Sequence, residues 1–344
     1  MGGVCRLEKS ANNSKRRLLA LAEFFKKRTD EEHAFSAGEI CDYLAEQGIA
    51  AERKAIYSDI EALRESGYDI LCSRGNNKGF FLADRDFQEA EARLMIDAVQ
   101  TARFITAKKS NELVEKISGL LSEPVAEKML DKIYIHSANK GRNEEVYYNI
   151  DLLYRAICDK KQVSFYYYHH YVAKDLSIKI TERSFAVSPY ALIWSNDHYY
   201  LISNNNRYNN LMHTRIDRIK KVKILDRPIR PFSEVCEYQD VFDSADYEQK
   251  LFNMFSGTKQ RVTMRCANSI LEEIFDRFGE STAIVSRNAD NFTVSADVIT
   301  GEGFISWVMQ YGGRIEILAP QELRESVYRR VQDLLTIYQD KERG

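Results

Sequence analysis

Between Phe185 and Ile219 the sequence FAVSPYALIWSNDHYYLISNNNRYNNLMHTRIDRI reads as an antiparallel meander. Three runs of strand-forming residues are separated by two turn-forming clusters, Ser195-Asn196-Asp197 and Asn204-Asn205-Asn206. In the third run, from Leu211 to Ile216, period-two alternation sets Leu211, His213 and Arg215 on one face and Met212, Thr214 and Ile216 on the other. A strand face carrying a histidine and an arginine either meets water or is built to hold an anion.

The same stretch resembles the WYL domain of bacterial transcriptional regulators. The resemblance rests on Pro189 at the end of a strand, the hairpin after it, the triplet Tyr199-Tyr200-Leu201 and the closing Arg215-Ile216-Asp217-Arg218-Ile219. Tyr199 stands where the family has the tryptophan that names it. With its flanks the likeness covers the chain from about Lys15 to Tyr338. Upstream of the meander, Val146 to Lys160 reads as a helix, followed by an aromatic strand from Val163 to Tyr171 and a second strand from Ile178 to Pro189. One helix and about five short strands fit a strongly bent barrel of the SH3 or Sm kind over residues 146–230, which the resemblance also implies.

The N-terminal flank, residues 14–84, has the order helix, helix, helix, hairpin of a winged helix-turn-helix. Residues 1–13 read as unstructured, and Ser14 caps a first helix with Leu18, Leu19, Leu21, Ala22 and Phe25 at helical spacing. Ser36 and Glu39 have capping-box spacing at the head of a second. A third runs from about Glu52 to Glu65 with Ile56, Ile60 and Leu63 inward. It leaves Arg53, Lys54, Tyr57 and Ser58 on the outer face of its first turns, where recognition helices meet base edges. A hairpin around Asn76-Asn77-Lys78-Gly79 follows, with Arg74 and Lys78 near its tip. Ile56 to Leu63 resembles the winged module that precedes WYL domains, with Glu52, Ala55 and Ser58 as departures. Residues 14–83 hold 11 Lys/Arg against 12 Asp/Glu, so DNA contact must rest on local patches.

Residues 85–145 read as a helical linker. One amphipathic helix is marked by Leu94, Ala98 and Phe104-Ile105, a second by Leu113, Ile117, Leu120 and Leu121, and Pro124 opens a third. Residues 231–257 read as an acidic, loop-rich connector. From Thr258 the order is strand, helix, strand, strand, helix, strand and a final helix, a ferredoxin-like domain over residues 258–340. It resembles the WCX extension of WYL regulators through Trp307 to Gly313 and Glu316 to Pro320. The whole reads as an α+β multidomain chain.

With 51 Asp/Glu against 49 Lys/Arg the net charge is −2, which excludes a general polycation. Six dispersed cysteines without a Cys-x-x-Cys pair argue against zinc and disulfide frameworks. Absence of a leader and of a membrane-length apolar run fits a cytoplasmic location. No Walker loop, dinucleotide fingerprint, nucleophile elbow or zinc signature is present, so binding is expected, with no catalysis, cofactor or metal. Residues 207–230 hold eight Lys/Arg against two Asp/Glu. Tyr166, Tyr168, Tyr190, Tyr200, His213, Arg215 and Arg218 interleave rings with cations there and on neighbouring strands. Such a surface suits a single-stranded nucleic acid or nucleotide effector. The expectation is a homodimeric regulator that reads duplex DNA and is modulated by that effector. An accessory nucleic-acid-binding module of a nucleoprotein machine is the alternative.

Overall fold

The structure is a computed structural model that describes residues 2–74, 78–132, 140–239, 241–252, 254–255, 257–280 and 282–339, the side chains of residues 2–12 excepted. The chain divides into two compact units, Met1–Lys140 and Gly141–Gly344.

In the first unit three helices precede a hairpin: α1 (Gly2–Arg28), α2 (Ala37–Glu46), α3 (Arg53–Glu65), β1 (Ile70–Ser73) and β2 (Gly79–Leu82). Helix α1 starts well before Ser14, contrary to the sequence reading. Once the turns around Leu21 and Phe25 are fixed by packing, each further residue adds a hydrogen bond without a new nucleus. The second helix starts where Ser36 and Glu39 cap each other: Ser36 Oγ accepts from the Glu39 N–H at 3.3 Å, and Glu39 Oε2 accepts from the Ser36 N–H at 2.8 Å. Leu21, Phe24, Phe25, Ile40, Leu44, Ile56, Ile60 and Leu63 form one core. The Arg17 guanidinium forks onto Asp59 at 2.6 and 3.2 Å and ties α1 to α3. Phe35 adds a β-bridge to Phe80, so the hairpin is anchored from the loop before α2. The expected tip at Asn76-Asn77 lies outside the described residues.

Helices α4 (Glu89–Thr101), α5 (Ala107–Ser118) and α6 (Glu123–Leu130) follow. They share a small core of Ala92, Ile96, Val114, Leu121 and Met129. Leu94 is 70% exposed, so the buried stripe of α4 runs through Ala92 and Ile96 instead. Helix α6 docks on the end of α1 through Arg28–Glu123 at 2.6 Å and Ser122–Asp30 at 2.6 Å.

The second unit opens with α7 (Val146–Cys158), then β3 (Lys161–Val172), β4 (Ile178–Ser195), β5 (His198–Asn204), β6 (Met212–Arg215) and β7 (Ile219–Pro228). These strands form one antiparallel sheet in the order β6-β5-β4-β3-β7. Strand β4 serves both halves: Ile178–Val187 pair with β3 and Ser188–Ser195 with β5, with an irregularity between Pro189 and Ala191. A strand that changes partners at a bulge turns a corner. Asn196 and Asp197 both have positive φ, 49° and 59°, the geometry of a two-residue hairpin turn.

The connectivity forces closure. Strands β6 and β7 are opposite edges of the sheet, which in a flat five-stranded sheet would lie roughly 19 Å apart. Only the 3-10 turn Ile216–Arg218 joins them. Four Cα steps reach at most about 14 Å when extended, and a 3-10 turn reaches less. The sheet must therefore curl until its edges approach, with α7 packed on β3, β4 and β7.

The connector is more ordered than its composition suggests. It holds a 3-10 turn at Phe232–Glu234 and α8 (Ser244–Lys250), and Tyr247 of α8 with Leu251 and Met254 after it joins a core with Tyr190, Ile193, Ile202 and Leu211. The last domain comprises β8 (Thr258–Ala267), α9 (Leu271–Phe278), β9 (Ile284–Arg287), β10 (Asn291–Thr300), α10 (Glu302–Gln310), β11 (Ile315–Ala319) and α11 (Gln321–Gln339). Its strands run antiparallel in the order β11-β8-β10-β9. Alternation on β8 sends Val262, Met264 and Cys266 into a core with Ile274, Val294 and Phe304.

At Gly79 the hairpin leaves no room for a side chain. A Cβ there would lie 2.4 Å from the Phe35 carbonyl carbon, in backbone that the bridge holds in place. Gly79→Ala is expected to destabilise the first unit by about 3 kcal/mol in chemical denaturation. An unchanged midpoint would show that the bridge yields freely.

Candidate effector and nucleic-acid sites

The barrel turn gathers four of the seven residues expected on the effector surface. Arg215 ends β6, and Tyr200 sits directly opposite it on β5, so the two share a face. Two residues on, Asp217 takes the Arg215 guanidinium in a fork, Nε to Oδ1 at 3.1 Å and Nη2 to Oδ2 at 2.7 Å. Burial works against the charge of Arg215, but the hydrogen bonds to Asp217 together with the charge attraction of Asp217, Tyr200 and Tyr167 outweigh it and hold the pKa above the ordinary value. Arg218 follows, partly buried, with no hydrogen bond or ion pair among the described residues. Tyr168 reaches the same turn from β3 and donates its hydroxyl to the Asp217 carbonyl oxygen at 2.8 Å. Burial raises the pKa of both Tyr168 and Tyr200; the Asp217 charge adds to the rise, and the guanidiniums of Arg215 and Arg218 oppose it.

The turn itself is held from outside. Asn143 Nδ2 donates to the carbonyl oxygens of Asp217 at 3.2 Å and Ile219 at 2.9 Å, and Asn149 Nδ2 donates to Ile219 at 2.9 Å. Ile216 and Ile219 are fully buried on either side. The positions of Arg215 and Arg218 are thus set by a backbone with little freedom.

The other three residues lie elsewhere. Tyr166 is 43% exposed, with Lys221 Nζ 5.5 Å from its ring centre. Tyr190 packs edge-on to Phe232 in the connector core and donates to the Arg230 carbonyl oxygen at 2.8 Å, and burial pushes its pKa up to about 12. His213 faces the connector too: its Nε2 lies 2.8 Å from the Tyr247 hydroxyl. Sequence reasoning missed Asp217, Asn143 and Asn149. An acidic residue between two arginines was the available signal for the first; nothing local marked the asparagines.

On the first unit, Arg53, Lys54, Tyr57 and Ser58 are all exposed on the first turns of α3, and Arg74 and Lys78 are exposed beside the hairpin tip. The Tyr57 ring leans edge-on against Phe80 of β2 at 5.8 Å, which joins helix and hairpin into one surface. Glu52 at the N-cap makes no side-chain cap, so the first N–H groups of α3 remain open to an acceptor. Glu61 and Glu65 occupy the exposed face of later turns and confine any anion contact to the N-terminal half. Among the described residues no metal-binding group of His, Cys, Asp and Glu occurs, and no helix is long and apolar enough to cross a membrane.

Enclosure of His213 against the connector lowers its pKa to about 4 from the ordinary 6.5, opposed by a hydrogen bond to the Met254 backbone. The folded state then binds its proton later than the unfolded state as pH falls. This contribution to stability is complete above pH ~6.5 and is lost progressively toward pH ~4. The expected loss is on the order of 2–3 kcal/mol, read by denaturant titration across that range. His213→Gln should flatten the pH dependence; an equal slope in the variant would place the effect on another group.

The family model described as WYL domain matches residues 148–224, and that described as WCX domain matches residues 258–335. No curated protein matches the chain. Among solved structures, proteasome accessory factor B/C (PafBC) of Arthrobacter aurescens is similar at 16% identity, covering 95% of this chain and 49% of that one, with a TM-score of 0.27. The chain thus spans about half the length of PafBC. A CRISPR Cas-related protein is similar at 12% identity, covering 84% of this chain and 73% of that one, with a TM-score of 0.37. The two matched ranges lie within the bent barrel with its helix and within the split β-α-β domain that follows, so residues 148–224 match a WYL domain and residues 258–335 a WCX domain C-terminal to it.

Proposed function

We propose that the chain is a ligand-responsive regulator. It binds duplex DNA through α3 and the hairpin as a winged helix-turn-helix, and it senses single-stranded nucleic acid or a nucleotide through the barrel turn. The observation that carries this reading is Arg218. It is a half-exposed arginine without a hydrogen bond or ion pair among the described residues, within electrostatic range of Tyr168 and Tyr200 and next to an arginine already neutralised by Asp217. A phosphate supplies the missing charge with short, charge-assisted hydrogen bonds. The Tyr200 ring offers a face on which a base can stack, while the Lys220 ammonium lies over the Tyr168 ring.

The DNA-binding half rests on Arg53, Lys54, Tyr57 and Ser58 at an uncapped helix N-terminus, with Arg74 and Lys78 exposed at the hairpin. Open N–H groups and flanking cations favour phosphate there. One such module covers too little DNA for operator specificity, so the reading includes a homodimer on a two-part site. Binding, not turnover, is the proposed activity.

Two variants separate the halves. Arg53→Ala with Lys54→Ala should weaken duplex binding by about 2–4 kcal/mol in gel shifts and leave single-strand binding intact. Arg218→Ala should weaken binding of a short single-stranded oligonucleotide about tenfold or more in calorimetry, while duplex binding without effector persists. Oligonucleotide binding that is absent, or indifferent to Arg218, would remove the sensing half. Duplex binding indifferent to the double variant would remove the other.

A further inference from the structure

We infer that Gly38 of α2 is a positioning residue for DNA contact. The space left by its missing side chain seats the Arg53 guanidinium along α2, so that Arg53 grips the sugar-phosphate backbone and base reading falls to Lys54, Tyr57 and Ser58. The inference rests on the reading of α2 and α3 as a helix-turn-helix.

Helix α2 itself gives no reason for a glycine at this position. Gly38 lies in its first turn, between Ala37 and the Glu39 of the capping box, without the positive φ that favours glycine. Glycine is the poorest helix former after proline, so the residue weakens the helix it belongs to. What it provides is room. A Cβ at Gly38 would lie 3.1 Å from Arg53 Nη2, 3.6 Å from Nε and 3.7 Å from Cζ, so the guanidinium occupies the place of a side chain. The charge of Arg53 also reaches Cys41, one turn further along the same face of α2. Burial raises the Cys41 thiol pKa, and Arg53 opposes that rise.

Nothing among the described residues neutralises Arg53. Its exposed side chain makes no hydrogen bond or ion pair there, and Glu39 of α2 is engaged by the Ser36 N–H. In a helix-turn-helix the second helix enters the major groove with its first residues at base edges, while the first helix crosses the backbone. Arg53 starts on the second helix but is drawn toward the first, which carries its charge from the base edges to the phosphates. Such contacts fix register and orientation and carry no sequence information. Lys54, Tyr57 and Ser58 stay exposed on the first turns of α3 and keep the groove-facing role.

For the test, duplexes are first selected from a random pool with the unaltered full chain. Arg53→Ala should then bind selected and random duplexes alike about tenfold less tightly, make the slope of log K against log salt shallower by about one, and enrich the same sequence when selection is repeated. Gly38→Leu, which fills the seat with a good helix former, should melt no lower than the unaltered chain and reproduce these changes. Added to Arg53→Ala, it should change affinity by less than about twofold, because the group it displaces is already gone. Gly38→Ala carries the same comparison, with a smaller loss, if the leucine variant is unstable. A relaxed base preference in Arg53→Ala with an unchanged salt slope overturns the inference. So does full affinity in both Gly38 variants, or an equal loss from Gly38→Leu with and without Arg53, which would mark the leucine itself as the obstruction. A chain that enriches no duplex from the pool removes the underlying helix-turn-helix reading instead.

Discussion

The turn Ile216–Arg218 joins two strands at opposite edges of the same sheet, and that connectivity obliges the sheet to curl. The curl depends on β4 changing partners at its irregularity and on two isoleucines driven inward at the ends of the turn. Burying each of them contributes about 2–3 kcal/mol. Polar side chains then fix what the apolar ones bring together. Tyr168, Asn143 and Asn149 donate to carbonyl oxygens of Asp217 and Ile219 that would otherwise lack partners within the turn. The result is a rigid backbone on which Arg215, Asp217 and Arg218 stand in fixed order. Preorganisation of this kind spares a ligand much of the ordering cost of binding.

Strand β6 also reaches the connector through the face that carries Arg215. His213 touches Tyr247 of α8, and the Tyr247 ring meets that of Tyr238. Tyr238 in turn donates to Asp246 at 2.6 Å. Lys250 joins Asp246 to Glu237, and Glu237 pairs with Lys259 on β8. A continuous series of ring and polar contacts therefore connects the strand bearing Arg215 to the first strand of the C-terminal domain.

Much of this was legible in the sequence where one local rule decided the outcome. Ser36 and Glu39 announced a helix start because both halves of the capping box lie within one turn. Val262, Met264 and Cys266 announced a buried strand face because alternation is local. Ser195-Asn196-Asp197 announced a hairpin because Asn and Asp tolerate positive φ. What stayed hidden depended on long-range partners. His213 and Arg215 share a strand face by period, yet one meets α8 and the other Asp217, and period cannot tell these neighbours apart. Tyr190 looked like a polar-tipped ring at a surface until the connector, whose acidic composition suggested a loop, supplied Phe232 and Phe242 to cover it. The residues that hold the turn, Asn143 and Asn149, lie at least 70 positions from the carbonyl of Ile219 that both reach. Only the folded chain brings them there.

The most direct measurement is a crystal structure of the chain with a short single-stranded oligonucleotide bound. A phosphodiester oxygen should lie within hydrogen-bond distance of the Arg218 guanidinium, a base should rest against Tyr200, and the Arg215–Asp217 fork should remain closed. An oligonucleotide seated away from the turn, or a phosphate held by Arg215 with Asp217 displaced, would contradict that arrangement.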